Sequence, residues 1–101
     1  MDPHPERPSE MTLLCERLSE RLARDGAPHP RAAAIALAVR GLSGSDVVAF
    51  AEQLGISGDE VARAESGEVP FAHLPAAIVQ RAVAEPRLDL DRLRLANDPF
   101  K

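Results

Sequence analysis

Polar side chains that could contact another macromolecule are concentrated in one segment, residues 43 to 63. Ser43, Ser45 and Gln53 carry hydroxyl and amide groups, which can donate hydrogen bonds to phosphate oxygens. Arg63 carries a guanidinium, whose parallel N–H donors suit the acceptors of guanine. The chemistry that these residue types indicate is recognition by hydrogen bonding.

Carboxylates dominate the same part of the chain. Residues 46 to 68 contain six acidic side chains and one basic side chain, a formal charge of −5. Acids can accept a hydrogen bond from cytosine, but beside phosphates they are repelled. The charge of these acidic side chains is complementary to that of a basic protein surface. The candidate residues for such a protein partner are Asp59, Glu60 and Glu68.

A structural role also fits several of these residues. Ser57 and Glu60 match the capping box of a helix start, in which each side chain accepts from the other residue's backbone. Asp59 and Glu60 also suit the positive end of a helix dipole. Arg63 can pair with Asp59 or Glu60 one turn back. Both interpretations of the segment stay open at this point.

No enzymatic chemistry is indicated. His4, His29 and His73 are far apart, and none has a second ligand at helical spacing, so no metal site is predicted. The lone Cys15 supplies no ligand set. No paired catalytic carboxylates, glycine-rich phosphate loop or nucleophile motif is present. We therefore expect a protein that is not an enzyme and that uses no cofactor.

Length and composition predict one small domain in the cytoplasm. The chain has 101 residues, 45% of them hydrophobic, and a formal net charge of −4. This charge opposes sequence-independent attraction to polyanions or to an acidic membrane surface. One cysteine makes no internal disulfide, which favours a reducing compartment. No signal peptide and no apolar run of membrane-spanning length is visible, so we expect no role in a membrane.

The spacing of apolar residues predicts an all-α protein, a small bundle of five to six helices. We expect a flexible leader at 1–8, an N-terminal helix at 9–26, a helical domain at 30–97 and a tail at 98–101. Ser9 should cap the first helix. Helices of the domain are predicted at about 31–40, 46–54, 57–67 and 74–85, with a turn at 41–45 and a short last helix from about Asp89.

Two of these helices have distinct expected faces. The N-terminal helix should bury the stripe Met11, Leu14, Cys15, Leu18 and Leu22, and the fifth helix should bury Ile78, Val79, Ala82 and Val83. The second helix reads AAAIALAV and is apolar on every side, so we expect it to form the centre of the fold.

Residues 46 to 67 read as two short helices joined by a glycine turn, the signature of a helix-turn-helix. Ala51 should be small where the helices cross, Gly55 should form the turn, and Ile56 and Val61 should face the core. The string from Phe50 to Pro70 resembles the Cro/C1-type, XRE-like helix-turn-helix family. The matching residues are Phe50-Ala51, Gly55, Ile56-Ser57, Val61, Glu65-Ser66-Gly67 and Pro70.

The resemblance implies a lambda-repressor-like fold over about residues 31–96, to which the N-terminal helix is an addition. It also implies that Glu65 holds the helix pair together. The residues that it implies face DNA bases are Gly58, Asp59, Glu60, Ala62 and Arg63, and Ser57 just before them is a further candidate for DNA contact.

Two functions of different classes follow. The first is a transcriptional regulator that binds double-stranded DNA as a homodimer, with Ser43, Ser45 and Gln53 on phosphates and Arg63 on a base. The second is a protein-interaction module that keeps the helix-turn-helix scaffold without binding DNA, for example the non-enzymatic member of a two-protein pair. The N-terminal helix is the candidate dimer seam, through Leu14 and Leu18, and a positive rim for DNA could come from Arg31, Arg40 or Arg81.

Overall fold

Five α-helices account for most of the part of the chain that the computed structural model describes, residues 9–90 and residue 93. They are α1 (Glu10–Arg24), α2 (Pro30–Ser43), α3 (Val47–Leu54), α4 (Gly58–Ser66) and α5 (Ala76–Ala84). A 3-10 turn, Phe71–His73, precedes α5. No described residue lies in a β-strand. The predicted all-α class is confirmed.

Helix α2 is the centre of the fold, as its sequence predicts. Ala32, Ala34 and Ile35 are fully buried, and α2 packs against each of the other four helices. Its alanine side chains are short, so neighbouring helices can approach it closely on several sides. Pro30 occupies the first position of α2, where its missing N–H leaves no hydrogen bond unmade.

Helix α2 is longer than predicted. It continues through residues 41 to 43, which we expected to form a turn, and ends at Gly44 with φ +71°. Arg40 and Ser43 secure this last turn: the Ser43 hydroxyl donates to the Arg40 carbonyl at 2.7 Å, and Arg40 Nη1 donates to the Ser45 carbonyl at 3.1 Å. These hydrogen bonds offset the low helix propensity of Gly41 and Ser43.

Helix α1 has the predicted Ser9 cap, and its predicted stripe lies against the core except at Leu14. Cys15 is fully buried, and Met11, Leu18 and Leu22 are partly buried and pack against the core. Thr12 and Ser19 are buried together with Cys15, whereas Leu14 is 47% exposed. The fully buried positions of α1 thus lie toward one side of the predicted stripe, the side of Thr12 and Ser19. The cause is its main neighbour, the alanine-rich α2, against which small side chains pack most closely.

Hydrogen bonds to the chain after α5 hold the start of α1 in this orientation. Thr12 Oγ1 donates to the Arg87 carbonyl at 3.1 Å and accepts from the Asp89 N–H at 3.0 Å. Ser9 Oγ accepts from the Thr12 N–H and donates to the same Arg87 carbonyl. The buried hydroxyl of Thr12 is therefore satisfied by residues 75 or more positions away in the sequence.

Helix α5 buries Ile78 and Ala82 as predicted, but Val83 is 68% exposed. Val83 lies roughly 100° from Ala82 around the helix, beyond the face that α2 covers. After α5, Leu88 and Leu93 are buried, and the Leu93 N–H donates to the Asp89 carbonyl as in a helix. The predicted leader at 1–8, the tail at 98–101 and most of the predicted last helix lie outside the described residues.

No single helix in the described part of the chain is long and apolar enough to cross a bilayer. Helices α2 and α3 reach that length and hydropathy only when they are taken together, and a bend of 91° separates them.

Candidate functional site

The candidate site is built on α3, α4 and the turn that joins them, which we name the α3–α4 unit (residues 46–67). The Asp46 carboxylate caps α3 by accepting a backbone N–H of its first turn at 2.8 Å. Gly55 ends α3 with φ +73°, and the Ile56 N–H donates to the Ala51 carbonyl at 3.0 Å. This hydrogen bond over five residues is typical of a helix that stops at glycine, and it sets the angle at which α4 begins.

Helix α4 begins with the capping box that its sequence predicts. The Glu60 N–H donates to Ser57 Oγ at 3.1 Å, and the Ser57 N–H donates to Glu60 Oε1 at 3.0 Å. Both backbone donors are thereby satisfied without a ligand. The side chain of Glu60 is therefore engaged in a structural role, although it is exposed.

The inner face of the unit packs as predicted from the sequence. Phe50 and Val61 are fully buried, Ala51 is 3% exposed, and Ile56 packs against the core from its edge. Ala64, on the turn of α4 after Val61, is also fully buried. The opposite face of α4 consequently points to solvent along the length of the helix.

Arg40 on α2 fixes α4 through Glu65. Arg40 Nε donates to Glu65 Oε2 at 2.6 Å and Nη2 donates to Oε1 at 3.1 Å. The two side chains are 26% and 10% exposed. The hydrogen bond to Glu65 raises the pKa of Arg40, so the guanidinium stays charged. Glu65 thus joins α4 to α2, whereas the family resemblance implied that it would hold α3 and α4 together.

The end of α4 is anchored to the loop between α1 and α2. Gly67 has φ +88°, and a Cβ on it would lie 2.7 Å from the Cβ of Ala27. The Gly67 carbonyl accepts the His29 N–H at 2.9 Å. Only glycine fits this close approach without displacing the loop, since both the space and the backbone angle exclude a side chain.

The predicted phosphate contacts divide into two places. Gln53 Nε2 donates to Ser45 Oγ at 2.7 Å, so these two residues are brought together on the exposed side of α3. Ser43 lies at the end of α2, where it lines a shallow cleft with Arg81. Arg81 also lines a cleft with Gln53 and therefore stands between the two groups.

Among the described residues, the ion pair of Arg63 is with Glu68 and not with Asp59 or Glu60, the two partners that helical spacing allowed. Arg63 Nε lies 3.8 Å from Glu68 Oε1, and both side chains are more than half exposed. Glu60 is held by Ser57, and the reversal of the chain at Gly67 brings Glu68 back alongside α4. Arg63, the only cation in residues 46–67, thus lies beside Glu68, a partner that helical spacing within α4 did not predict.

Two of the three arginines that could form a positive rim have internal partners. Arg40 binds Glu65, and Arg31 Nη1 lies 3.8 Å from Glu16 Oε2 with its side chain only 15% exposed. Arg81 is exposed. Sequence reasoning identified Arg81 only as a rim candidate, because its proximity to Gln53 depends on how α5 packs.

The solvent face of the unit and of the residue that follows it is strongly acidic. Among the described residues of this segment, the exposed charged side chains are Asp46, Glu52, Asp59, Glu60, Arg63 and Glu68. Gly58 is partly exposed at the start of α4 and leaves room beside Asp59. A ligand that approaches α4 therefore meets the carboxylates of Asp59, Glu60 and Glu68 and one guanidinium, that of Arg63.

The lone thiol of the sequence lies inside the fold. Cys15 is fully buried, and this burial raises the pKa of its thiol to about 12. No group of three His, Cys, Asp or Glu side chains among the described residues could hold a metal ion.

No protein-family model, curated protein or solved structure matches the chain. The function of the acidic face therefore has to be inferred from its own geometry and charge.

Proposed function

We propose that this chain is a protein-interaction module on a helix-turn-helix scaffold, and that the exposed face of α4 binds a basic surface of a protein partner. The observation that carries the proposal is the charge of this face. Asp59, Glu60 and Glu68 are exposed, while the only guanidinium of the segment, that of Arg63, lies beside Glu68. The resemblance to the XRE-like family supports the choice of scaffold.

The rigidity of the unit supports a binding role. Ser57 and Gly55 fix the start of α4, Arg40 holds its middle through Glu65, and Gly67 anchors its end. A helix fixed at three points presents its outer side chains with little loss of entropy when a partner binds. Complementary charge then contributes to partner choice and to the rate of association.

Double-stranded DNA is the second candidate, and one observation favours it. Arg81 is exposed beside Gln53, which is itself hydrogen-bonded to Ser45, so three polar groups meet on one side of α3. The acidic face of α4 opposes this function, because carboxylates beside phosphates reverse the electrostatic attraction on which DNA binding depends. The charge balance therefore favours a protein partner.

Binding to two probes distinguishes these functions. The full chain is titrated, by fluorescence anisotropy at low salt, into a mixed-sequence DNA duplex and into an arginine-rich peptide. We expect no measurable binding to the duplex and salt-dependent binding to the peptide. Duplex binding that weakens steeply as salt increases would contradict the proposal and favour the regulator.

A matched pair of variants locates the surface. The double variant Asp59→Asn with Glu68→Gln removes two exposed negative charges from α4 and the segment that follows it, whereas Glu20→Gln with Asp25→Asn removes two exposed negative charges from α1 and its C-cap. Removing two exposed ion pairs should lower the affinity for the peptide roughly three- to tenfold. We expect this loss for the first variant only. Equal losses in both variants would show that the peptide senses net charge and not this face.

A further inference from the structure

The outer side of α1 carries an exposed surface that takes no part in the function proposed for α4. Leu14 is 47% exposed on this side and does not pack against the core. Three charged residues surround it, and the exposed set Glu10, Leu14, Arg17 and Arg21 is here named the Leu14 face. Because α1 packs mainly against α2, this face has no covering element in the described part of the chain.

The charges of the Leu14 face are arranged symmetrically about Leu14. Glu10 and Arg21 are separated by three helical turns, or about 16 Å, and lie on nearly the same side of α1. The midpoint between them falls about 2 Å from the level of Leu14. Within the described residues, neither Glu10 nor Arg21 takes part in a side-chain hydrogen bond or ion pair.

We propose that the Leu14 face binds a second copy of this chain, with the two α1 helices antiparallel across a two-fold axis near Leu14. Such an interface is isologous, so every contact between two different residues occurs twice, once on each side of the two-fold axis. The antiparallel arrangement places Glu10 of each copy opposite Arg21 of the other. A parallel arrangement would place Glu10 opposite Glu10 and Arg21 opposite Arg21.

The residues around Leu14 can form the socket for it. In packed helices, a side chain inserts between four residues of the facing helix at spacing i, i+3, i+4 and i+7. On α1 the residues at this spacing are Leu14, Arg17, Leu18 and Arg21. Leu18 contributes its half-buried edge, and the aliphatic stems of the two arginines cover Leu14 of the second copy. Self-complementary charge therefore surrounds an apolar centre.

Charge reversal with mixing tests this geometry. Sedimentation equilibrium of the full chain, from about ten micromolar to about one millimolar, measures dimerisation from 10.9 kDa to twice that mass. The variants Glu10→Arg and Arg21→Glu each place like charges opposite one another twice in a homodimer. We expect each variant alone to dimerise about tenfold more weakly than the wild type. An equimolar mixture of the two should regain dimerisation as a heterodimer, because both pairs are again of opposite charge.

Two further variants complete the experiment. Glu20→Arg reverses a charge on another side of α1 and should leave the dimer unchanged, and Leu14→Asp should abolish the dimer. Circular dichroism at the same concentrations establishes that every variant is helical. A wild type that remains at 10.9 kDa throughout overturns the proposal, as does a dimer that Glu10→Arg leaves unchanged. Failure of the mixture to regain dimerisation overturns the antiparallel arrangement.

Discussion

Arg40 joins three segments of the fold through one guanidinium, which binds both oxygens of Glu65 and the carbonyl of Ser45. The distances are 2.6, 3.1 and 3.1 Å. Since Glu65 is on α4 and Ser45 precedes α3, this side chain fixes the two helices of the α3–α4 unit relative to α2. The orientation of the proposed binding face therefore depends on a residue outside that face.

Removing Glu65 should destabilise the chain. We expect Glu65→Ala to lower the free energy of unfolding by about 2–3 kcal/mol, because it leaves the charge of Arg40 without its main partner. Arg40→Ala should have a similar effect. Urea denaturation followed by circular dichroism measures both, with Arg63→Ala as the control for an exposed pair, which should lose less than about 1 kcal/mol. The double variant should lose less than the two single losses combined, and additive losses would contradict a direct interaction.

Three glycine-to-alanine substitutions should rank in a definite order. Gly67→Ala meets both a positive φ and the Ala27 side chain, and should lower the free energy of unfolding by about 2–3 kcal/mol. Gly55→Ala has a positive φ but open space, and should lose about 1 kcal/mol. Gly58→Ala has neither obstacle and should be neutral or stabilising by up to about 1 kcal/mol. Thermal unfolding of the three variants tests the order, and equal losses would contradict the close contact at Gly67.

Thr12 should tolerate serine better than valine. Thr12→Val preserves the shape of the side chain but removes its hydrogen bonds to the Arg87 carbonyl and the Asp89 N–H, so we expect a loss of about 1–3 kcal/mol. Thr12→Ser keeps the hydroxyl and should lose about 1 kcal/mol for the missing methyl group. Urea denaturation compares the two. A valine variant as stable as the wild type would show that these bonds do not hold α1.

The buried thiol of Cys15 should make the protein less stable at alkaline pH. Burial raises the pKa of Cys15 to about 12 in the folded chain, whereas an unfolded thiol titrates near about 8.5. The unfolded state therefore loses its proton first, and stability that is complete below pH about 8.5 declines as the pH rises toward 12. The sequence has no tyrosine and one lysine, Lys101, so few other groups titrate in this interval.

Cys15→Ala provides the comparison for this effect. Its urea midpoint should change less between pH 9 and 11 than that of the wild type, although the variant is less stable at neutral pH because a buried sulfur is lost. The native thiol should also react with a maleimide only as fast as the chain opens. Rapid alkylation in the folded state would contradict the burial of this residue.

Local interactions explain which elements the sequence predicted correctly. Ser9, Ser57 and Gly55 act on backbone groups within a few residues of themselves, so the corresponding caps and turn follow from short spacings. The buried position of α2 likewise follows from a segment that has no polar face to expose. The class of the fold and the framework of the α3–α4 unit were therefore predictable.

Packing between distant segments explains the differences. The apolar stripe of α1 predicted a buried Leu14, but the alanines of α2 and the backbone near Arg87 instead favoured burial of Thr12. Helical spacing allowed Arg63 a partner within its own helix, Asp59 or Glu60, but the reversal at Gly67 supplied Glu68. Periodicity records the composition of a face and contains no information about which neighbour will cover it.

The acidic character of the candidate site was set by the sequence, because residues 46–68 contain six acids and one base, and the fold leaves five of those acids exposed. Which cations remain available beside those acids was decided by tertiary structure. Arg40 and Arg31 are both separated in sequence from their carboxylate partners, by 25 and 15 residues, and become engaged only when α2 packs against α4 and α1. Charge is a property of each side chain, whereas the distance between two charges is set by the whole chain.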